Sequence, residues 1–86
     1  MASNRKVKTE VRSLSTIANE IRSDWGAKVY FGAKPYLDAM RTLDSISDNY
    51  FQDSAKTIVI YFLANAGSWR GDVARRVKLE LKTLSK

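Results

Sequence analysis

Apolar residues recur every three or four positions in the first third of the chain, a pattern typical of one face of an α-helix. These residues are Val7, Val11, Leu14, Ala18, Ile21 and Trp25. The pattern predicts a helix from about residue 5 to residue 24 that ends near Gly26. Ser13 is an alternative start, because a serine side chain can accept a hydrogen bond from the first helical turn. On that alternative, residues 1–12 form a basic arm ahead of a single helical domain, residues 13–86.

Lys34-Pro35 predicts the start of a second helix, because proline fits the first turn, where its missing N–H costs nothing. The apolar residues that then fall on one side are Tyr36, Leu37, Met40 and Leu43. Residues 27–31 before this helix are mostly apolar or aromatic, and we expect a buried connector there. Residues 44–49 are mainly polar, which predicts a turn region.

A third helix is predicted after Asp53 or Ser54, either of which can cap it. Apolar side chains surround nearly the whole of this helix, so we expect it at the centre of the fold. The competing interpretation is a strand over residues 57–63, which are rich in β-branched and aromatic side chains. The helix is predicted to stop at Asn65-Ala66-Gly67, because glycine is suited to the left-handed cap conformation.

Ser68 is predicted to cap a fourth helix, with Asp72 in its first turn and Lys82 near its end, where their charges suit the helix dipole. Its predicted buried face consists of Val73, Val77, Leu81 and Leu84. The four segments together predict an all-α fold, a compact bundle of three to four helices around one core.

The composition excludes several classes of function. The chain has 86 residues, 44% of them hydrophobic and 28% charged, and contains neither cysteine nor histidine. Disulfides, the usual metal ligands, thiol nucleophiles and the commonest general base are therefore absent. The serines have no partner base, and the glycines form no phosphate-binding loop. We expect no enzyme, no cofactor and no metal site, since the aspartates of the polar turn lack the spacing of a calcium loop.

The longest apolar run, residues 58–64, is seven residues long, whereas a membrane span needs about 20. The first thirty residues contain no apolar stretch of secretory length. We therefore expect a cytoplasmic protein without a membrane partner.

The formal net charge is +6, with +3 in residues 1–12 and +4 in residues 70–86. In the last helix, basic residues step by three and four positions and so line one face, here called the basic stripe: Arg75, Lys78, Lys82 and Lys86. Arg70 and Arg76 broaden it. A second stripe on the first helix would consist of Arg5, Lys8 and Arg12. Phosphate binding is one interpretation, and an ordinary solvated helix face is the other.

Two groups of aromatic residues are candidates for binding. Trp69 beside Arg70 suggests a ring that stacks on a base next to a phosphate contact; the alternative is a tryptophan folded into the turn, with Gly71 allowing close packing. Most other aromatic residues are expected in the core. An exception is expected in the polar turn, where the candidate protein-contact residues are Tyr50, Phe51, Asp48 and Asp53.

Four short segments resemble small uncharacterised helical proteins that phages and other mobile elements carry. They are residues 33–40 (AKPYLDAM), 61–66 (YFLANA), 69–71 (WRG) and 80–82 (ELK). The resemblance spans residues 15–84. It implies a phage or prophage product in the cytoplasm of a bacterial host, and it implies no activity and no catalytic residue.

The sequence favours a non-enzymatic basic module that contacts nucleic acid or a nucleoprotein complex through its last helix. Such phosphate contacts would position the nucleic acid without reading its sequence. The residues proposed for this contact are Trp69, Arg70, Arg75, Arg76, Lys78, Lys82 and Lys86. The alternative is a phage-type protein-interaction module that inhibits or redirects a host or defence protein through Trp69-Arg70 or Tyr50-Phe51. A self-associating bundle, a homo-oligomer, is a third hypothesis.

Overall fold

The computed structural model describes residues 11–86, and these residues are mainly helical, as predicted. Four α-helices are present in this part of the chain: α1 (Leu14–Trp25), α2 (Lys34–Met40), α3 (Ala55–Ala64) and α4 (Asp72–Leu84). A 3₁₀ turn, Gly26–Lys28, follows α1. Two short antiparallel strands, β1 (Asn49–Tyr50) and β2 (Asp53–Ser54), form a hairpin before α3 that the sequence pattern does not predict. The expected basic arm, residues 1–12, lies outside the described residues except for Val11 and Arg12.

Helix α1 begins where the shorter alternative predicts. Ser13 is its N-cap, and its Oγ accepts a hydrogen bond of 3.1 Å from the Thr16 N–H. The N–H groups of Leu14 and Ser15 donate to the carbonyls of Asp44 and Leu43, at 2.8 and 2.9 Å. The loop after α2 therefore pairs donors that the start of a helix leaves free.

The prediction of a buried connector over residues 27–31 is wrong. Tyr30 is 45% exposed and Phe31 79% exposed, and only Val29 of this stretch packs partly against the core. The reason is geometric, since a tight turn must direct several side chains outward while it reverses the chain. The next helix does begin at Lys34 with Pro35 in its first turn, as predicted.

Residues 57–63 lie in helix α3, so the alternative strand interpretation is wrong. Ser54 caps the helix by accepting a hydrogen bond of 3.1 Å from the Thr57 N–H. Helix α3 packs on both α2 and α4, and α1 packs on the same two helices. It is less enclosed than expected, because Ile60 and Tyr61 are about half exposed.

Helix α3 stops at the predicted segment, residues 65–67, whereas Ser68 does not cap the next helix. Asn65, not Gly67, caps α3, and Gly67 does not adopt a left-handed conformation. Helix α4 starts four residues after Ser68, with Gly71 as its N-cap at φ 113°. The delay has a physical reason: residues 66–70 stay non-helical while Ala66 and Trp69 insert their side chains into the core.

Three aromatic rings meet in the core. Trp25 stacks on Trp69 with ring centroids 5.7 Å apart and planes inclined by 15°, and Phe62 meets Trp25 edge-on at 6.2 Å. From α4, Val77 and Leu81 are fully buried, whereas Val73 and Leu84 of the predicted buried face are half-buried. Helix α4 therefore turns its apolar side inward, as its periodicity predicts.

Candidate nucleic-acid interface

The outer side of α4 carries exposed cations. Arg75 and Lys82 are seven residues apart, close to two helical turns, so they lie on the same side. Both are exposed, while Val77 and Leu81 are buried. Lys86, just past the helix, is also exposed. Within residues 11–86, Lys82 and Lys86 form no ion pair, so their charges face solvent.

Lys78 lies at the inner edge of the basic stripe and has a structural contact of its own. Its Nζ donates a hydrogen bond of 2.6 Å to the Trp69 carbonyl and lies 5.9 Å from the centroid of the Trp69 ring. Burial lowers the pKa of Lys78, and the nearby positive charges of Arg70 and Lys82 lower it further. Lys78 is thus close enough to Arg70 and to Lys82 for both to repel its charge.

Arg70, Arg75 and Lys78 line one depression of about 330 Å³ at the start of α4. Among the described residues, the one ion pair that these three cations form is with Asp72, whose Oδ1 lies 3.2 Å from Arg75 Nη1. Both side chains of this pair are largely exposed, and exposed pairs of this kind contribute little stability. The depression therefore has an excess of positive charge that an anion can neutralise.

A second depression, of about 420 Å³, adds Lys28 to this surface. It is lined by Lys28, Ser68 and Arg70, together with Asp24 and the two core tryptophans. Lys28 and Arg70 are 42 positions apart in the sequence, so no spacing rule could have paired them. They meet because the chain after α1 packs beside the turn that precedes α4.

Trp69 is folded into the turn, as the alternative interpretation predicts, and base stacking by its ring is ruled out. Only 2% of its surface is exposed. Its Nε1–H donates a hydrogen bond of 2.8 Å to Asp24 Oδ2, so this carboxylate oxygen already has a partner. Gly71 does not serve close packing, since a Cβ there would meet nothing within 4 Å. Its φ of 113° is what favours glycine.

Arg76 and Arg12 belong to a different cluster, which joins α1 to α4. Arg76 binds Glu20, and Arg12 binds Glu80 through two hydrogen bonds of 2.6 and 3.0 Å. Arg12 Nη1 also lies 2.8 Å from Glu20 Oε1. The hydrogen bond from Arg76, then Arg12, lowers the pKa of Glu20, and the bonds to Glu80 raise the pKa of Arg12.

These contacts change the predicted set of phosphate-binding residues. Arg76 lies on the other flank of α4 and is neutralised by Glu20, so it does not broaden the basic stripe. Arg12 is likewise engaged by two carboxylates and does not start a second stripe. The other predicted members of that second stripe, Arg5 and Lys8, lie outside the described residues.

The candidate protein-contact residues divide in two. Phe51 is 87% exposed at the tip of the hairpin, and Asp53 is exposed beside it. Tyr50 instead packs partly against the core, with its ring centroid 4.8 Å from that of Phe51. Asp48 holds its own loop, because its carboxylate accepts hydrogen bonds from the N–H groups of Ser45 and Asp44, which lower its pKa.

The expectation that most of the remaining aromatic residues lie in the core is wrong. Of those outside the two tryptophans, Phe62 is fully buried and Tyr36 and Tyr50 are half-buried. The exposed ones are Tyr30, Phe31, Phe51 and Tyr61. A small core cannot enclose every large ring, and the rings left outside lie in turns or on the outer side of α3.

No protein-family model matches the chain, and neither a curated protein nor a solved structure matches it significantly. Across residues 11–86, no three acidic side chains come together in a way that could hold a metal ion. None of the helices in that range is long and apolar enough to cross a membrane. The described surface combines a depression lined by Arg70, Arg75 and Lys78 with the exposed Lys82 on the same side of α4.

Proposed function

We propose that the chain is a non-enzymatic basic module that binds nucleic acid, free or within a nucleoprotein complex. The binding surface is α4 together with the turn before it. The observation that carries this proposal is the convergence of Arg70, Arg75 and Lys78 on one depression, with Lys82 following on the same side of the helix. Guanidinium and ammonium groups bind phosphate oxygens, and the release of counterions from the nucleic acid supplies the driving force.

The electrostatics of the free protein favour such a ligand. Arg70 and Lys82 both repel Lys78, which is one cause of the lowered pKa of Lys78. A row of phosphates replaces this repulsion with attraction. Contacts with phosphates carry no sequence information by themselves, so the module is expected to bind with little sequence preference.

Charge reversal on α4 tests the proposal. Arg75→Glu combined with Lys82→Glu is expected to weaken binding to a mixed-sequence oligonucleotide by more than about tenfold at about 50 mM salt, because two phosphate contacts become repulsive. The matched control is Lys34→Glu with Lys56→Glu, which changes the net charge equally at exposed lysines on α2 and α3. Fluorescence anisotropy titration measures both affinities.

The same titration has a second readout. If about four cations meet phosphates, log affinity should fall against log salt with a slope of about −3 to −4. An equal loss in the reversed and control variants would mean that net charge alone drives binding. No binding of wild type to any nucleic acid at low salt would contradict the proposed function.

A second candidate function is a protein-interaction module centred on the hairpin. Phe51 combines 87% exposure with a positive φ of 58°, so its ring is presented outward at a cost in backbone energy. Asp53 and Asp44, both exposed, lie on the same hairpin and its preceding loop. The partner that fits is a protein with an apolar pocket bordered by basic groups; for a phage product this would be a host or defence protein that the module inhibits or redirects.

Affinity capture from a bacterial lysate distinguishes the two candidates. A protein partner that survives nuclease treatment, is lost with Phe51→Ala and is kept with the Arg75→Glu, Lys82→Glu pair supports the hairpin. Recovered nucleic acid with the opposite dependence supports α4.

A further inference from the structure

Two neighbouring aromatic rings stand at the surface between α1 and α2. Tyr30 and Phe31 are 45% and 79% exposed, and their ring centroids are 4.9 Å apart with planes inclined by 58°. We call this pair the aromatic ledge. Leaving two large rings outside so small a core forfeits apolar burial, and the two rings together offer an exposed apolar surface to a ligand.

The ring of Tyr30 is held in position. A Cβ at Gly32 would lie 2.5 Å from Tyr30 Cε2 and 3.1 Å from Asn65 Oδ1, so the ring rests directly against this glycine. Asn65 is fixed in turn by the hydrogen bond of 2.9 Å that its Nδ2 donates to the Tyr61 carbonyl. A ring that is already placed loses little freedom when a ligand stacks on it.

Tyr30 of the aromatic ledge lies next to the cationic surface. Tyr30 lines a depression of about 370 Å³ that reaches Ser68. Ser68 also lines the depression that contains Lys28 and Arg70. Arg70 in turn lines the depression that contains Arg75. Neighbouring depressions therefore share lining residues, and the three together are here called the binding path, which runs from Tyr30 to the clustered cations. Phe31 adjoins this path through its contact with the Tyr30 ring.

This combination distinguishes between forms of nucleic acid. In a duplex the faces of the bases are covered by their neighbours, so rings at the protein surface have nothing to stack on. In a single strand the bases can unstack and lie on aromatic side chains while the phosphates follow a positively charged groove. The cations of α4 suit either form, whereas the aromatic ledge suits only the single strand.

We infer that the binding path takes single-stranded nucleic acid, with unpaired bases on Tyr30 and Phe31 and phosphates on Lys28, Arg70 and Arg75. This inference rests on the proposed function and adds to it the form of nucleic acid and the residues that recognise it.

Substitution of the outer ring tests the inference directly. Phe31→Ala is expected to weaken binding of an oligothymidylate and an oligouridylate of about ten nucleotides by about 5- to 150-fold, the range for losing one stacked base. Binding of a duplex of equal length is expected to change by less than about twofold, because its contacts are with phosphates. Phe31 is 79% exposed, so its removal should leave the fold intact.

A matched control removes the other highly exposed phenylalanine. Phe51→Ala lies on the hairpin, away from every residue that lines the binding path, and is expected to leave single-strand affinity unchanged. Gly32→Ala provides a second test. It leaves both rings in the chain but displaces the Tyr30 ring, so single-strand binding should fall toward the level of Tyr30→Ala while circular dichroism still reports the native helix content.

The outcomes separate the inference from the proposed function. Equal affinity for single strand and duplex, with no selective loss in Phe31→Ala, would overturn the inference and leave the proposed function standing. No binding of either form at low salt would overturn both. Selective loss of affinity for either single-stranded oligonucleotide, or for both, supports the inference.

Discussion

Phe51 has a backbone conformation that suits glycine better than an aromatic residue. Its φ of 58° makes it the one non-glycine residue with a positive φ among residues 11–86. The left-handed region costs an L-residue about 1–2 kcal/mol, and an exposed ring recovers little of this by burial. The residue therefore lowers stability at a position where the hairpin itself requires only a tight turn.

Phe51→Gly is expected to raise the free energy of unfolding by about 1 kcal/mol, because the strain is relieved. Phe51→Ala keeps the strain and is expected to change stability by less than about 0.5 kcal/mol. Urea unfolding measures both. A glycine variant less stable than wild type would mean that the contact between the Phe51 and Tyr50 rings outweighs the strain.

Trp69 is the residue for which the sequence left two roles open. Its neighbours Arg70 and Gly71 are compatible with either an exposed or an inserted ring. The local sequence pattern does not show which distant residue the ring packs against, and that residue determines whether the ring is buried. That residue is Trp25, 44 positions earlier in the chain, which offers a parallel ring face, while Asp24 accepts the indole N–H.

Trp69→Phe is expected to destabilise the protein by about 1–2 kcal/mol, since it keeps ring packing and loses the hydrogen bond to Asp24. Trp69→Ala is expected to cost about 3–5 kcal/mol through the cavity it leaves. Thermal unfolding followed by circular dichroism compares them. Asp24→Asn keeps an acceptor at the same place and should cost less than Trp69→Phe; a larger loss would show that the carboxylate charge matters more than the indole bond.

At the scale of elements, periodic segments are the part of the fold that sequence predicts best. The inward faces of α1, α2 and α4 follow the spacing of their apolar residues, and Ser13 and Ser54 cap helices as their type predicts. Ser68 and Gly67 are equally suitable cap residues by type, yet neither caps a helix. A favourable cap residue stabilises a helix by about 1 kcal/mol. Burial of the Trp69 side chain stabilises the fold by more than this, so the backbone at residues 67–68 follows the insertion of Trp69 instead.

Helices α1 and α4 are joined by the Arg12, Glu20, Arg76 and Glu80 cluster, whose strength depends on pH. The pKa of Glu20 is lowered in the folded protein, first by the hydrogen bond from Arg76 and then by Arg12. Because the pKa of Glu20 is lower in the folded protein than in the unfolded chain, the unfolded chain binds a proton at Glu20 more readily than the folded protein does. The stabilisation by Glu20 is therefore complete above its ordinary pKa of 4.5 and is lost as the pH falls through the lower folded value.

Glu20→Gln is expected to lower stability by about 1 kcal/mol at neutral pH and to make the loss of stability below about pH 4.5 less steep. Urea unfolding between about pH 3 and pH 7 measures this. Arg76→Gln removes the principal partner and should reduce the steepness by a smaller amount, because Arg12 still lowers the pKa of Glu20. The double variant should match Glu20→Gln. A profile as steep as that of wild type in both variants would assign the acid sensitivity to other carboxylates.

At the scale of the whole molecule, the candidate site is assembled from segments that are distant in sequence. The basic stripe was predictable because its members follow one another on a single helix. Lys28 and the aromatic ledge were not, because they join it only after the chain between α1 and α2 packs beside the chain between α3 and α4. Charge patterning therefore located one part of the candidate site, and tertiary packing supplied the rest.

The turn that carries Arg70 is fastened on both sides, by the indole N–H of Trp69 to Asp24 and by the Trp69 carbonyl to Lys78. A segment held in this way needs no rearrangement before it meets another molecule. Encounter with a polyanion should then be governed by diffusion and long-range attraction, so that association is fast and differences in affinity arise mainly from how quickly the complex dissociates.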